Sequence, residues 1–290
     1  MIGVPWPAKP IRLVVSDIDG TLVGHSKVFT PRTRAAVTAL AARGVGFTVT
    51  TARPPVGLRS IIDLLGLTAP AAAINGGALV RPDLSIIEEK LLSPNMARQA
   101  VMLLRQQGLD PWLFTDNAWY LRDPQGDHVD LEARTIGQAP TQVDDFEPAL
   151  YDRVLKIVGA SKNHPHLADC EARLQRELGA GAIATRSQSY YLDVTSPLAH
   201  KGVAVESLCR AMGVPVSAIL TIGDGTNDIP MLKAAGFSVA MGNGNEAVKA
   251  AANAVTGSVD DDGFAAAMER YVLGDERGAG RSPILATSTG

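Results

Sequence analysis

The sequence predicts an α/β protein: a Rossmann-like parallel-sheet core carrying an inserted α/β domain. Three observations lead there. First, three apolar runs stop at polar clusters, "IRLVVSDIDGT" (11–21), "GVGFTVTTARP" (44–54) and "SAILTIGDGTND" (217–228), and a fourth, "PAAAINGG" (70–77), ends in the same manner. Second, the first two runs flank a helical pattern, and strand–helix–strand units build parallel sheets. Third, this alternation breaks off at about residue 79 and returns near residue 194. Ligands of open parallel sheets bind beyond the carboxyl ends of the strands, so all four clusters are expected along one edge.

The elements follow in order. In the first run, Ile11, Leu13, Val14 and Val15 suit a buried strand, and two carboxylates one residue apart, Asp17 and Asp19, belong where that strand ends. "TPRTRAAVTALAARG" is a helix with Thr30 as N-cap, Pro31 at the first helical position and Gly44 as terminator. The second strand precedes Thr51. "ALVRPDLSIIEEKLLS" reads as a hairpin about Arg81-Pro82-Asp83, and "SPNMARQAVMLLRQQG" as a helix from Ser93 to Gly108. "DPWLFTDNAWYLRD" gives two strands about Asp116-Asn117, and residues 123–150 are polar and weakly patterned. Then come a strand ("DRVLKIVGAS"), a helix ("HPHLADCEARLQRELG") and a strand pair ("AIATRSQSYYLDVT"). The parallel unit resumes with helix "HKGVAVESLCRAMG", strand "AILTIGD", helix "NDIPMLKAAG", strand "FSVAMGN" and helix "NEAVKAAAN". The expected division is core at 1–78 and 194–273, inserted cap at 79–193, and a disordered tail at 274–290 rich in small and polar residues.

The 290 residues, 46% hydrophobic and 20% charged, supply a real core. A net charge of −3 gives no electrostatic reason for a nucleic-acid or anionic-membrane partner. No window approaches a transmembrane span, and the N-terminus lacks a signal-peptide pattern. Cys170 and Cys209 form no paired motif and fall on separate helices, which fits a reducing, cytoplasmic setting.

Each polar cluster alone has an ordinary structural explanation. Asp-x-Asp-Gly-Thr serves as a cap or turn, Thr51 as a satisfied hydroxyl, and Lys201 as a solvated amine. "GDGTND" lacks the third glycine spacing of a dinucleotide fingerprint and places acids where a pyrophosphate would sit. His164 and His166, either side of Pro165 at a helix start, read as capping residues rather than a metal pair. Trp112, Trp119, Tyr120, Tyr190 and Tyr191 concentrate in the insertion, as cap core or as a sugar-stacking surface.

In their joint order, Asp17-Ile18-Asp19-Gly20-Thr21, Thr51 after a strand, Lys201-Gly202 opening a helix and Gly223-Asp224-Gly225-Thr226-Asn227-Asp228 after a strand resemble the four signatures of the haloacid dehalogenase (HAD) superfamily. "INGG" (74–77), the large insertion and residues 239–268 look like its Cof-type branch, whose members are magnesium-dependent phosphatases of small phosphorylated metabolites, mostly sugar phosphates. The resemblance implies Asp17 as nucleophile and Asp19 as acid and base. It implies a Mg²⁺ site from Asp17, the Asp19 carbonyl, Asp224 and Asp228. Phosphate contacts are expected from Thr51 and Lys201, and substrate contacts from Gly20, Arg53, Asn75, Gly76 and Asn227, with Asn227 orienting Lys201 or Asp17. A phosphomutase of the same superfamily, or a non-catalytic HAD-like binding protein, are the alternatives.

The chemistry agrees with that resemblance. Phosphoryl transfer asks a protein mainly for positioning and charge neutralisation, which carboxylates, a hard cation, a hydroxyl and an ammonium provide. The second signature departs from Thr-Gly-Arg: here Thr51-Ala52-Arg53 restricts the backbone at 52, and Thr50 stands beside Thr51 as a second hydroxyl. Glycines 76 and 77 and Ser196-Pro197 are expected as the crossings about which a cap swings. Trp119 and Arg186 are candidate leaving-group contacts.

Overall fold

A computed structural model describes residues 5–274. The expected tail lies outside the described residues, apart from Gly274. The core sheet runs β14-β13-β12-β1-β2, all parallel. Its strands are β1 (Leu13–Ser16), β2 (Gly46–Val49), β12 (Ile219–Gly223), β13 (Phe237–Ala240) and β14 (Ala254–Val255). β1 is an interior strand between β12 and β2, and its four residues are all buried, as a strand covered on both faces requires. The chain enters α1 (Pro31–Ala42) through Thr30, whose hydroxyl accepts from the Thr33 N–H, and leaves it at Gly44 with φ +70°.

"PAAAINGG" departs from the expected pattern. Its strand β3 (Ala71–Ala73) touches the end of β2 through one Thr50–Ala72 bridge, then forms an antiparallel ribbon with β4 (Ala78–Val80) and β5 (Ile86–Glu89). Ala78 and Val80 pack in the same apolar cluster as Val14 and Leu220, so the boundary expected at residue 79 falls inside a hairpin that shares the core's interior.

The insertion is built on a second sheet, β10-β11-β9-β6-β7-β8, antiparallel except for the β7–β8 pair. β6 (Pro111–Phe114), β7 (Trp119–Leu121), β8 (Thr141–Gln142), β9 (Lys156–Ala160), β10 (Ile183–Gln188) and β11 (Tyr191–Thr195) carry α3 (Pro94–Gln106) and α5 (His164–Leu178) packed over one apolar cluster. Ser93 and Asn163 cap these two helices by accepting from Met96 and His166 N–H groups. His166 Nε2 lies 2.9 Å from the Gln107 carbonyl, which ties it into structure rather than into a metal pair.

The stretch expected to be irregular holds a helix, α4 (Val129–Ile136), ended by Gly137 at φ +74°. Trp112, Phe114 and Trp119 form a second cluster with Val129 and Ile136 from this helix. Trp119 is 1% exposed and its indole N–H donates to the Gln138 carbonyl, so it is packing, not a leaving-group contact. Among the described residues, no helix is long and apolar enough to cross a membrane.

Candidate functional site

Three strand ends of the core sheet bring the polar clusters together. Asp17 follows β1 directly, and its N–H donates to the Ile222 carbonyl of β12, which places its carboxylate beside the loop after β12. That loop supplies Asp224 and Asp228. Carboxylate oxygens of Asp17, Asp224 and Asp228 lie within 4.8 Å of one another. Lys201, at the start of α6 (Lys201–Met212) and fully buried, drives its ammonium between two of them, 2.5 Å from Asp17 Oδ1 and 2.6 Å from Asp228 Oδ1. The other Asp228 oxygen accepts from the Asp224 and Gly225 N–H groups at 2.8 Å each, pinning the loop.

Burial pushes the Asp17 carboxyl well above the usual carboxylate range; Lys201 opposes this, and Asp228 and Asp224 add to it. Asp224 is raised to about 6, by burial first and by Asp228 next, although Thr21 Oγ1 donates to it at 2.8 Å. Burial alone would lower the Lys201 pKa, but Asp17 and Asp228 together raise it, so it stays an ammonium. Three acids thus share one buried cation, an arrangement with a deficit of positive charge. Hard oxygen donors in this number and spacing fit a divalent cation. Gly20 is required beside it: φ is +93°, and a Cβ there would lie 2.2 Å from Asp224 Oδ2.

Asp19 stands apart from this cluster. Arg53 grips both its oxygens, at 2.9 and 2.7 Å, and Lys27 adds a contact at 2.6 Å. Burial would raise its pKa, but the two cations outweigh it and hold Asp19 at about 2. Arg53 therefore pairs with a neighbouring acid. Thr51 faces the pocket, its Oγ1 accepting from the Arg53 N–H, whereas Thr50 is fully buried away from it. Ala52 has no positive φ.

The remaining expected contacts are distributed differently. Asn227 donates to Asn75 Oδ1 at 3.1 Å instead of orienting Lys201 or Asp17. Gly76, at φ +94°, is pressed against α6: a Cβ would lie 3.0 Å from both Ala204 Cβ and the His200 carbonyl oxygen, so it seats the Lys201 helix and does not line the pocket. Arg186 is paired with Glu171 at 2.8 Å, outside the pocket wall.

The cluster opens into a pocket of about 300 Å³ between core and insertion. Asp17, Thr51 and Asp224 form its core side, and Glu132, Lys156 and Tyr190 its insertion side. Sequence reasoning missed Lys27, Glu132 and Lys156. A lysine interrupting the apolar run "VLKIV" was the visible signal for Lys156; Glu132 lies on the unrecognised α4. Lys156 Nζ crosses to the core, donating to the Ala52 carbonyl at 3.2 Å, and lies 3.6 Å from the buried Asp193.

The sequence profile of haloacid dehalogenase-like hydrolases matches residues 14–268, and the chain belongs to that family, in its Cof-type branch of phosphatases. Its relatives include a putative phosphatase of Haemophilus influenzae, 28% identical over 89% of this chain and 97% of the relative. A pyridoxal phosphate phosphatase of Escherichia coli is 27% identical over 90% of this chain and 99% of its own length. The crystal structure of a haloacid dehalogenase-like hydrolase from Bacteroides thetaiotaomicron superimposes with a TM-score of 0.79 at 26% identity, covering 90% of this chain and 99% of that one.

Proposed function

We propose that this chain is a Mg²⁺-dependent phosphatase that hydrolyses phosphate monoesters of small metabolites, sugar phosphates foremost, through an aspartyl-phosphate on Asp17. The observation that carries this reading is the placement of Asp17: a carboxylate at a strand end, held by Lys201, within 4.8 Å of two further acids and open to a pocket.

Asp17 attacks phosphorus, the P–O bond to the leaving group breaks, and an acyl phosphate forms; water then attacks that phosphorus and returns the carboxylate. Thr51 Oγ1 and the Lys201 ammonium supply donors to the phosphoryl oxygens. A Mg²⁺ held by Asp17, the Asp19 carbonyl, Asp224 and Asp228 would neutralise charge on the phosphoryl group. Asp19 as found is ionised and held by Arg53 and Lys27, which weakens it as a base as well as an acid, so taking a proton from the attacking water also requires those cations to loosen. Protonating the leaving oxygen first requires Arg53 and Lys27 to let go of it, and a dianionic phosphate arriving beside them competes for both cations.

The test combines phosphate release from a panel of monoesters with trapping of the phospho-enzyme. Release should require Mg²⁺ and stop with EDTA, and acid-quenched protein should carry a hydroxylamine-labile phosphoryl group that Asp17→Asn lacks. Release without metal, or a label that survives in Asp17→Asn, overturns the reading.

A further inference from the structure

The pocket's cations are each already matched by an acid. Arg53 and Lys27 lie on Asp19, Lys156 lies 3.6 Å from Asp193, and Lys201 sits between Asp17 and Asp228. Glu132 differs. It is 6% exposed, it faces the pocket from α4, and among the described residues it has no ion pair within 4.0 Å. Burial pushes its carboxyl up and Asp193 adds to this, while Lys156, a hydrogen bond with the Tyr191 hydroxyl and Arg53 oppose it; that one hydroxyl leaves the other acceptor positions of the carboxylate open. A nearly buried carboxylate with unfilled acceptor positions is costly unless something occupies them, and the open side of this one is the ligand's space.

The rest of that wall narrows what the ligand is. Tyr190 presents an aromatic surface, its ring stacked on His128 at 4.6 Å. A pocket of about 300 Å³ is at the small end for ligand sites, which leaves room for a phosphate and a compact, single-ring or short-chain leaving group. With its cations matched, the leaving-group side presents in Glu132 an acidic group with no ion pair of its own, Lys156 and Arg53 acting on it only through space.

Building on the phosphatase reading, we propose that Glu132 is a specificity-determining residue: it accepts hydrogen bonds from hydroxyl or ammonium groups of the leaving group and turns away leaving groups bearing a second anion. A site built to hydrogen-bond a substrate discriminates strongly against analogues lacking the donor, because its own buried group is then left unpaired. An added carboxylate meets like charge at short range instead.

The experiment compares wild type, Glu132→Gln and Glu132→Ala on four esters. Glucose 6-phosphate carries hydroxyl donors, glucosamine 6-phosphate adds an ammonium, phenyl phosphate has no donor, and 3-phosphoglycerate carries a second anion. Wild type should prefer the two donor-bearing esters. In Glu132→Ala their kcat/KM should fall at least ~30-fold while phenyl phosphate changes less than ~3-fold. Glu132→Gln, which keeps an acceptor but no charge, should recover glucose 6-phosphate more than glucosamine 6-phosphate and raise 3-phosphoglycerate relative to phenyl phosphate. Equal losses on all four esters would mark Glu132 as a structural residue, and unchanged ratios would show that it does not read the leaving group; either overturns the proposal. A wild-type protein inert on every ester would instead defeat the phosphatase reading itself.

Discussion

The carboxylate cluster makes a prediction about the metal-free protein. Asp224 has its pKa raised to about 6 in the folded state, from an ordinary value near 4. The folded chain therefore holds a proton between those values that the unfolded chain has released. Stability is fully present below the ordinary carboxylate pKa and is lost as pH rises through about 6. A shift of about 2 units at about 1.4 kcal/mol per unit is worth about 3 kcal/mol over the whole window, of which about 1 kcal/mol falls between pH 5 and pH 7. For a chain of this size that corresponds to a Tm about 3 °C higher at pH 5 than at pH 7. Asp17, raised by burial and by the same neighbours, acts in the same direction. Half-buried His128, with its pKa lowered by partial burial, acts in the opposite one.

The assay is thermal melting by circular dichroism after EDTA treatment, from pH 5 to pH 7, on wild type and Asp224→Asn. The difference between their slopes isolates Asp224. Wild type should lose more stability with rising pH than the variant does. Adding Mg²⁺ at about 100 times its Kd should add about 2.7 kcal/mol at pH 7 and flatten the wild-type slope. Identical slopes in the two metal-free proteins, or Mg²⁺ leaving the wild-type Tm at pH 7 unmoved, would refute the electrostatic reasoning.

Other perturbations follow from the same geometry. Asp17→Asn should keep the fold and lower turnover by at least ~10³-fold, measured as phosphate release; activity within tenfold of wild type would move the nucleophile elsewhere. Lys201→Met leaves Asp17 and Asp228 buried without their cation, and should cost about 3–5 kcal/mol in urea unfolding of the metal-free protein at neutral pH; a loss below about 1 kcal/mol would mean the acids relax apart. Gly20→Ala places a methyl against Asp224 and should weaken Mg²⁺ binding at least ~10-fold by calorimetry, with the clash rather than charge as the cause. Gly76→Ala should slow turnover on every ester alike, since it displaces the helix that carries Lys201; a change confined to one ester would contradict that role.

The elements that were legible, in the core and at the start of the insertion, have local signals. An apolar run ending in acids, Thr30 before Pro31, and Ser93 before Pro94 each state a strand end or a helix start within a few residues, and the structure has them at those positions. The acids of the cluster were legible for the same reason. What escaped depends on contacts across the chain. α4 has only eight residues, too short for a periodic pattern to stand out, and is held by Val129 and Ile136 packing on Trp112 and Trp119. Glu132 and Lys156 acquire their meaning from burial against a pocket wall that a linear pattern does not show. Trp119 failed the other way: an aromatic in the insertion looked like a ligand surface, and its indole N–H is consumed by the Gln138 carbonyl inside the fold.

The "INGG" turn shows how a misplaced role can still be a necessary residue. Glycines near a domain crossing invited the idea of a hinge, but the chain there is tied down by hydrogen bonds and close packing. Ile74 and Asn75 both hold positive φ, a conformation that costs a branched residue energy and persists only where the surroundings impose it. The surroundings are visible: the Asn75 N–H donates to the Thr51 carbonyl at 2.7 Å, Asn75 Oδ1 accepts from Asn227, and Gly76 lies against the first turn of α6. One turn thereby touches the segments that present Thr51, Asp228 and Lys201, which come from three distant parts of the chain. Any motion of the insertion would have to be taken up beyond it, where Lys90 donates to the Gly77 carbonyl of the core and Leu92 to the Val154 carbonyl of the insertion, and on the return at Ser196–His200. Under the proposed phosphatase reading, a cap movement that fell in those crossings would bring Glu132 towards a leaving group while leaving intact the turn that ties the Thr51, Asp228 and Lys201 segments together.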